Sequence, residues 1–222
     1  MDDHPAIRRL VAEELRSADA GSKAAFLAEF GDSESEFAEA MGVALDKWTT
    51  FFDSLSDHDK RAIAVSAITF TAINHNISSF KLFMAGYTVA SGSLFRQVIE
   101  GVSLALLCSA KSLTVLDRFM MDRYSVSNAV NDLVRQFKTV HVKSEAVQTT
   151  EKAYKFYHKY AHLSKLTIAA GANFAHGGVP NVGAHFDSAK LSEYRKEVKG
   201  RLSLARVLPN IVERITLNVR DW

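Results

Sequence analysis

No proline interrupts the chain between Pro5 and Pro180, and only Pro209 follows. Proline removes a backbone donor and clashes with the preceding turn, so its scarcity leaves long stretches free to be helical. Within those stretches apolar residues recur at three- and four-residue steps, the period of one helix face. No segment shows sustained strand alternation, and the β-prone run at 139–142 is too short to anchor a sheet.

The spacing predicts a short helix over 5–17 carrying Leu10, Val11 and Leu15, with a break at Asp19. A second short helix starts at Ser22 and stops at Gly31, and a longer one starts at Asp32 or Ser33. Phe37, Met41, Leu45, Trp48, Phe52 and Leu55 form the apolar stripe of the longer helix. Four long helices follow, near 57–85, 87–110, 149–174 and 188–219, with shorter ones at 113–121 and 123–140. The segment 143–148 reads as a connector, 176–184 as a glycine-rich loop, and Pro209 should bend or split the last helix. The fold class is therefore all-α, a bundle of long antiparallel helices with shorter N-terminal helices packed around it. The expected division is an acidic N-terminal region, 1–56, and a bundle, 57–222.

A chain of 222 residues with 47% hydrophobic side chains can bury a sizeable core. Its net charge of +2 hides an imbalance: residues 1–60 hold 6 basic and 14 acidic side chains, leaving 21 and 11 for the rest. The two regions thus carry −8 and +10, which suits a polyanionic partner, an acidic arm over a basic body, or merely two solvated faces. Cys108 is the single cysteine and lies in an apolar run, so it reads as a buried thiol without an intrachain disulfide. The acidic start Met1-Asp-Asp-His-Pro does not read as a secretory signal. No stretch approaches the ~20 uncharged residues a spanning helix requires. A cytoplasmic protein with no membrane partner is expected.

Charge inside an apolar helix is costly unless paired, and Arg96 with Glu100 interrupts such a helix at 86–101. The two share a face, so they either satisfy one another or present a guanidinium to a phosphate or carboxylate. Small residues in the same helix, Ala90, Ser91, Gly92 and Ser93, suggest close approach by a neighbour. A second cluster crowds Tyr154, Lys155, Tyr157, His158, Lys159 and His162 onto two helical turns. Cations hold phosphates and aromatic faces stack bases, so this basic and aromatic stretch, extending from Arg135 to Lys165, suits single-stranded nucleic acid. The same mixture also describes aromatics packed inward with lysines solvated outward. His158 and His162 have the spacing of two metal ligands but lack the glutamate of the helical zinc motif, and no metal is expected. No phosphate-binding loop, dinucleotide fingerprint or nucleophile elbow is present, so no cofactor is expected.

These residues carry a resemblance. The region from about 60 to 175 resembles bacterial helical proteins related to the HEPN superfamily, in which a small-residue-rich helix with Arg-x-x-x-Glu precedes a helix ending in Ser- or Ala-His. Here those elements are Arg96–Glu100 and Ala161–His162. The resemblance implies a helical bundle that pairs as a homodimer and, in many members, a metal-independent ribonuclease. The family signature is an arginine, four to six residues, then a histidine; Arg135 and His141 match it, with polar Gln136 between them. In that chemistry the arginine stabilises charge developing on phosphate and the histidine moves the ribose hydroxyl proton. His162 would be the alternative acid/base, though Lys155 rather than an arginine precedes it. The leading expectation is RNA binding or cleavage at 135–165. The alternatives are a non-catalytic protein-interaction module and a small-molecule sensor with a pocket near Arg96, Glu100, Tyr157 and His162.

Overall fold

The computed structural model describes residues 5–16 and 20–222, with side chains from Arg8 onward. The expected break at Asp19 lies outside the described residues, as does Ser17 at the end of the first helix. The helices are α1 (Pro5–Arg16), α2 (Ala20–Asp53), α3 (Lys60–Met84), α4 (Thr88–Cys108), α5 (Thr114–Met120) and α6 (Ala129–Gln136). They continue as α7 (Ser144–Tyr157), α8 (Lys165–Ala170) and α9 (Leu191–Arg220). A two-stranded antiparallel ribbon, β1 (Ala172–Asn173) and β2 (Val179–Pro180), pairs Ala172 with Pro180 and Asn173 with Val179. Among the described residues, no helix is long and apolar enough to cross a membrane.

The long helices α2, α3, α4 and α9 build an all-α bundle around one core. Asp59 caps α3 by accepting the Ala62 N–H at 3.0 Å. Gly86, at φ +89°, then turns the chain into α4. A side chain there would also meet the His185 backbone N at 3.0 Å, so the position needs glycine twice over. The small residues of α4 permit close packing: Ser91 Oγ donates to the Ser79 carbonyl at 2.7 Å and Ser79 Oγ returns a bond to Ser91 at 3.0 Å. Aromatic side chains fill the other side of α3, where Phe37 stacks on Phe80 at 4.1 Å and Phe26 meets Phe83 edge-on at 5.1 Å. Cys108 is fully buried in α4, and burial pushes its thiol up to about 12, which makes it an inert packing residue.

Acidic α2 lies along basic α9, and part of the charge imbalance is neutralised there. Glu36 pairs with Arg206, and Glu29 with Arg195 at 3.7 Å. These contacts are exposed, so they orient the helices more than they stabilise them.

Several boundaries differ from the expectation. The stop expected at Gly31 falls one residue earlier, at Phe30 (φ −132°, ψ 17°), where a kink divides α2 into two helical stretches and the buried Phe30 ring is held against Phe26 and Phe83. The segment 143–148 is not a connector, since α7 begins at Ser144. The aromatic helix, expected to reach about 174, ends at Tyr157, passes through a 3-10 turn at His158–Ala161 and becomes extended at His162. The cause is a capping box: the Thr167 N–H bonds Ser164 Oγ at 3.2 Å while the Ser164 N–H bonds Thr167 Oγ1 at 2.8 Å, starting α8 afresh. The helix expected over 123–140 is regular only within α6, and His141 closes it in a left-handed conformation (φ +55°). Pro209 does not split α9, whose buried Ala205, Leu208 and Val212 anchor both halves to the core.

Candidate functional site

Arg96 and Glu100 satisfy one another. Arg96 Nε and Nη2 donate to Glu100 Oε1 at 3.0 and 2.8 Å, with the two side chains only 18% and 8% exposed. Burial pulls the Arg96 guanidinium down, but its hydrogen bonds and charge contact with Glu100 outweigh this and hold its pKa above the ordinary value. Its guanidinium lies 5.7 Å from the Tyr154 ring centre, Tyr154 is 5.9 Å from His158, and His158 meets His162 at 4.8 Å. A row of side chains thus runs from Glu100 to His162.

Arg135 and His141 are not brought into contact among the described residues. Arg135 is exposed and turns to Asp132 at 3.4 Å. His141 lines a small cleft with Lys111, Thr139, Asn218 and Asp221. Lys155 pairs with Glu151 at 2.6 Å, and Lys159 is exposed.

A larger concavity lies elsewhere. A cavity of about 590 Å³ opens between α7, the 3-10 turn, α8 and the first turns of α9. Its walls are chiefly apolar, including Phe83, Phe156, Leu166, Phe174 and Tyr194. Beneath them sits a polar floor. Tyr157 donates to Glu197 Oε2 at 2.6 Å and Tyr160 to Glu197 Oε1 at 3.0 Å. Burial raises both phenols well above their ordinary value, and the Glu197 charge adds to it, so each remains a hydrogen-bond donor.

Behind Glu197 lies Arg201, fully buried. Its Nε is 3.6 Å from Glu197 Oε2, an ion pair too long for a good hydrogen bond, and Nη1 donates to Ser79 Oγ. Its guanidinium is enclosed by Phe95 at 4.6 Å, Phe83 at 5.2 Å and Tyr157 at 5.7 Å. Nε and Nη2 find no hydrogen-bond acceptor among the described residues. Neither Arg201 nor Glu197 was singled out by sequence reasoning, yet the signal exists. Arg201 falls on the three- and four-residue rhythm of Tyr194, Val198, Ala205 and Leu208, so it is a charge set in an apolar stripe, as Arg96 is.

The cavity's outer wall is pinned by a second buried pair. Asp187, with no exposed surface, accepts the N–H groups of Phe174 at 2.7 Å, Ala175 at 3.2 Å and Ala189 at 3.0 Å. Lys190 lies 3.7 Å from Asp187, donates to the Ala170 carbonyl at 3.0 Å and faces the Phe174 ring at 5.3 Å. Burial lowers the Lys190 pKa, and Asp187 offsets this only in part. For Asp187 burial acts upward, but the three N–H bonds and the Lys190 charge win, leaving its pKa below the ordinary carboxylate value. A depressed carboxyl contributes stability that is complete above its unfolded value of about 4 and is lost as pH falls through the folded value. Amide exchange at Phe174 and Ala175, corrected for intrinsic rate, should therefore lose protection in acid before the α3 and α4 core does. Asp187→Asn should show the same loss at neutral pH.

No group of three or more His, Cys, Asp or Glu residues is placed to hold a metal among the described residues. Comparison with protein-family models, curated proteins and solved structures gave no match.

Proposed function

We propose that this protein binds a small, largely apolar molecule carrying one acidic group, in the cavity between α7, α8 and α9. The observation that carries the reading is an apolar-walled cavity of ligand size set over a buried tyrosine–carboxylate–arginine floor. The lining charges explain the preference for an acid. Lys196 is paired with Glu193 at 2.7 Å, Lys190 with Asp187, and Glu197 is neutralised by Arg201. Lys152, exposed on the wall, has no ion-pair partner among the described residues. Binding is preferred to RNA cleavage because Arg96 and Arg135 already engage carboxylates and His141 opens onto another cleft.

Anilinonaphthalene sulfonate, an apolar anion that fluoresces when desolvated, tests this. The protein should bind it with saturable enhancement. Ala153→Trp or Ala169→Trp, each filling the wall, should abolish the enhancement while the melting temperature stays within a few degrees. Lys152→Glu should weaken binding about tenfold, equivalent to ~1.4 kcal/mol. Enhancement indifferent to both tryptophans would end the proposal.

A further inference from the structure

Residues 152–186 contain no aspartate or glutamate, but they hold four lysines (152, 155, 159 and 165) and four histidines (158, 162, 176 and 185). From the 3-10 turn to Val182 this stretch folds into one lobe, tied by the Ser164–Thr167 capping box, the β1–β2 pairing and an Asn181 N–H bond to Gly171 at 2.8 Å. The lobe leaves large apolar side chains in solvent: Leu163 is 89% exposed, Ile168 61%, Val179 58%, Val182 53% and Phe174 51%. Scattered single exposures are ordinary, but five between Leu163 and Val182 are a local concentration of apolar side chains in solvent. Phe156 and Phe174 are exposed and also line the cavity, so the cavity mouth opens among them.

We propose that this lobe docks onto an anionic lipid surface, with its aliphatic side chains entering the interface and its lysines meeting headgroup phosphates. Apolar residues flanked by basic ones are the chemistry of interfacial attachment, which needs no spanning segment. The expectation of no membrane partner rested on the absence of such a segment and does not bear on this contact. A second copy of the chain fits poorly, because symmetric pairing would set one acid-free basic surface against another. Nucleic acid uses cations and aromatic faces but gains nothing from exposed Leu163, Ile168, Val179 or Val182. Acids approach this stretch from outside it: Glu151 pairs with Lys155, buried Asp187 accepts the Phe174 and Ala175 N–H groups, and Glu14 of α1 lies against Gly183 and accepts the Tyr87 hydroxyl at 2.9 Å, which leaves Lys152, Lys159 and Lys165 to meet the headgroups.

Co-sedimentation with vesicles tests the docking. The protein should sediment with equimolar phosphatidylcholine and phosphatidylserine and fall at least about tenfold with phosphatidylcholine alone, since each basic residue near an anionic surface contributes ~1 kcal/mol. L163E combined with I168E should abolish sedimentation while circular dichroism and melting stay unchanged, both side chains being mostly solvated already. Ala153→Trp should leave sedimentation intact, which separates failure of the docking from failure of the cavity reading. Three results would overturn the proposal: no sedimentation with the mixed vesicles, sedimentation indifferent to the double variant, or a dimer or RNA complex forming through this lobe without vesicle binding.

Discussion

Glu197→Leu should destabilise the protein by about 3–5 kcal/mol, the usual cost of leaving a buried charge without its partner. Arg201 would then keep only Ser79 as a hydrogen-bond acceptor, inside a shell of Phe83, Phe95 and Tyr157. Tyr157 and Tyr160 would lose their acceptor as well. Urea unfolding measures the loss. The double variant Glu197→Leu with Arg201→Met should recover most of it, because two well-packed apolar side chains replace a desolvated ion pair at little cost. A double variant no more stable than Glu197→Leu alone would show that Arg201 stabilises by packing and not through its charge partner.

Gly92→Ala should destabilise by about 1–2 kcal/mol and disrupt the cavity, whereas Gly42→Ala in α2 should stabilise by about 0.5–1 kcal/mol. Both are helical glycines, so each gains helix propensity on substitution. They differ in what a Cβ would meet. At Gly42 nothing lies within 4 Å, while at Gly92 the Tyr160 ring atoms lie at 2.5 to 2.7 Å. Tyr160 is held at its far end by Glu197 and cannot swing aside freely. Overpacking of ~1–3 kcal/mol therefore exceeds the propensity gain of up to ~1 kcal/mol. Thermal melts of the two variants should move in opposite directions, and dye binding should weaken only for Gly92→Ala. Shifts of the same sign would show that Tyr160 does not rest on α4.

Much of the bundle was legible because helix formation and burial are local and periodic. The 57–85 and 87–110 expectations match α3 and α4 within a few residues, and Arg96–Glu100 was readable as a pair from its spacing. The errors fall where side-chain hydroxyls or packing compete with that period. Ser164 and Thr167 break the aromatic helix by bonding backbone groups that a continuing helix would have used. The break expected at Gly31 is met one residue away, at the Phe30 kink.

The cavity was less legible, for a different reason. Tyr157 was in view, but its acceptor Glu197 stands on a helix forty residues further along and is shared with Tyr160. Arg201 was visible only as a charge breaking an apolar rhythm, and its partner across the bundle, Ser79, is 122 residues away. The sequence alone determined which faces are apolar, where small residues allow close approach, and that 152–186 carries no acid. The tertiary structure decided which charges meet and which apolar residues stay in solvent. Periodicity states that a side chain lies on a face, but pairing energy depends on separation and burial between elements, and those exist only once the helices have packed.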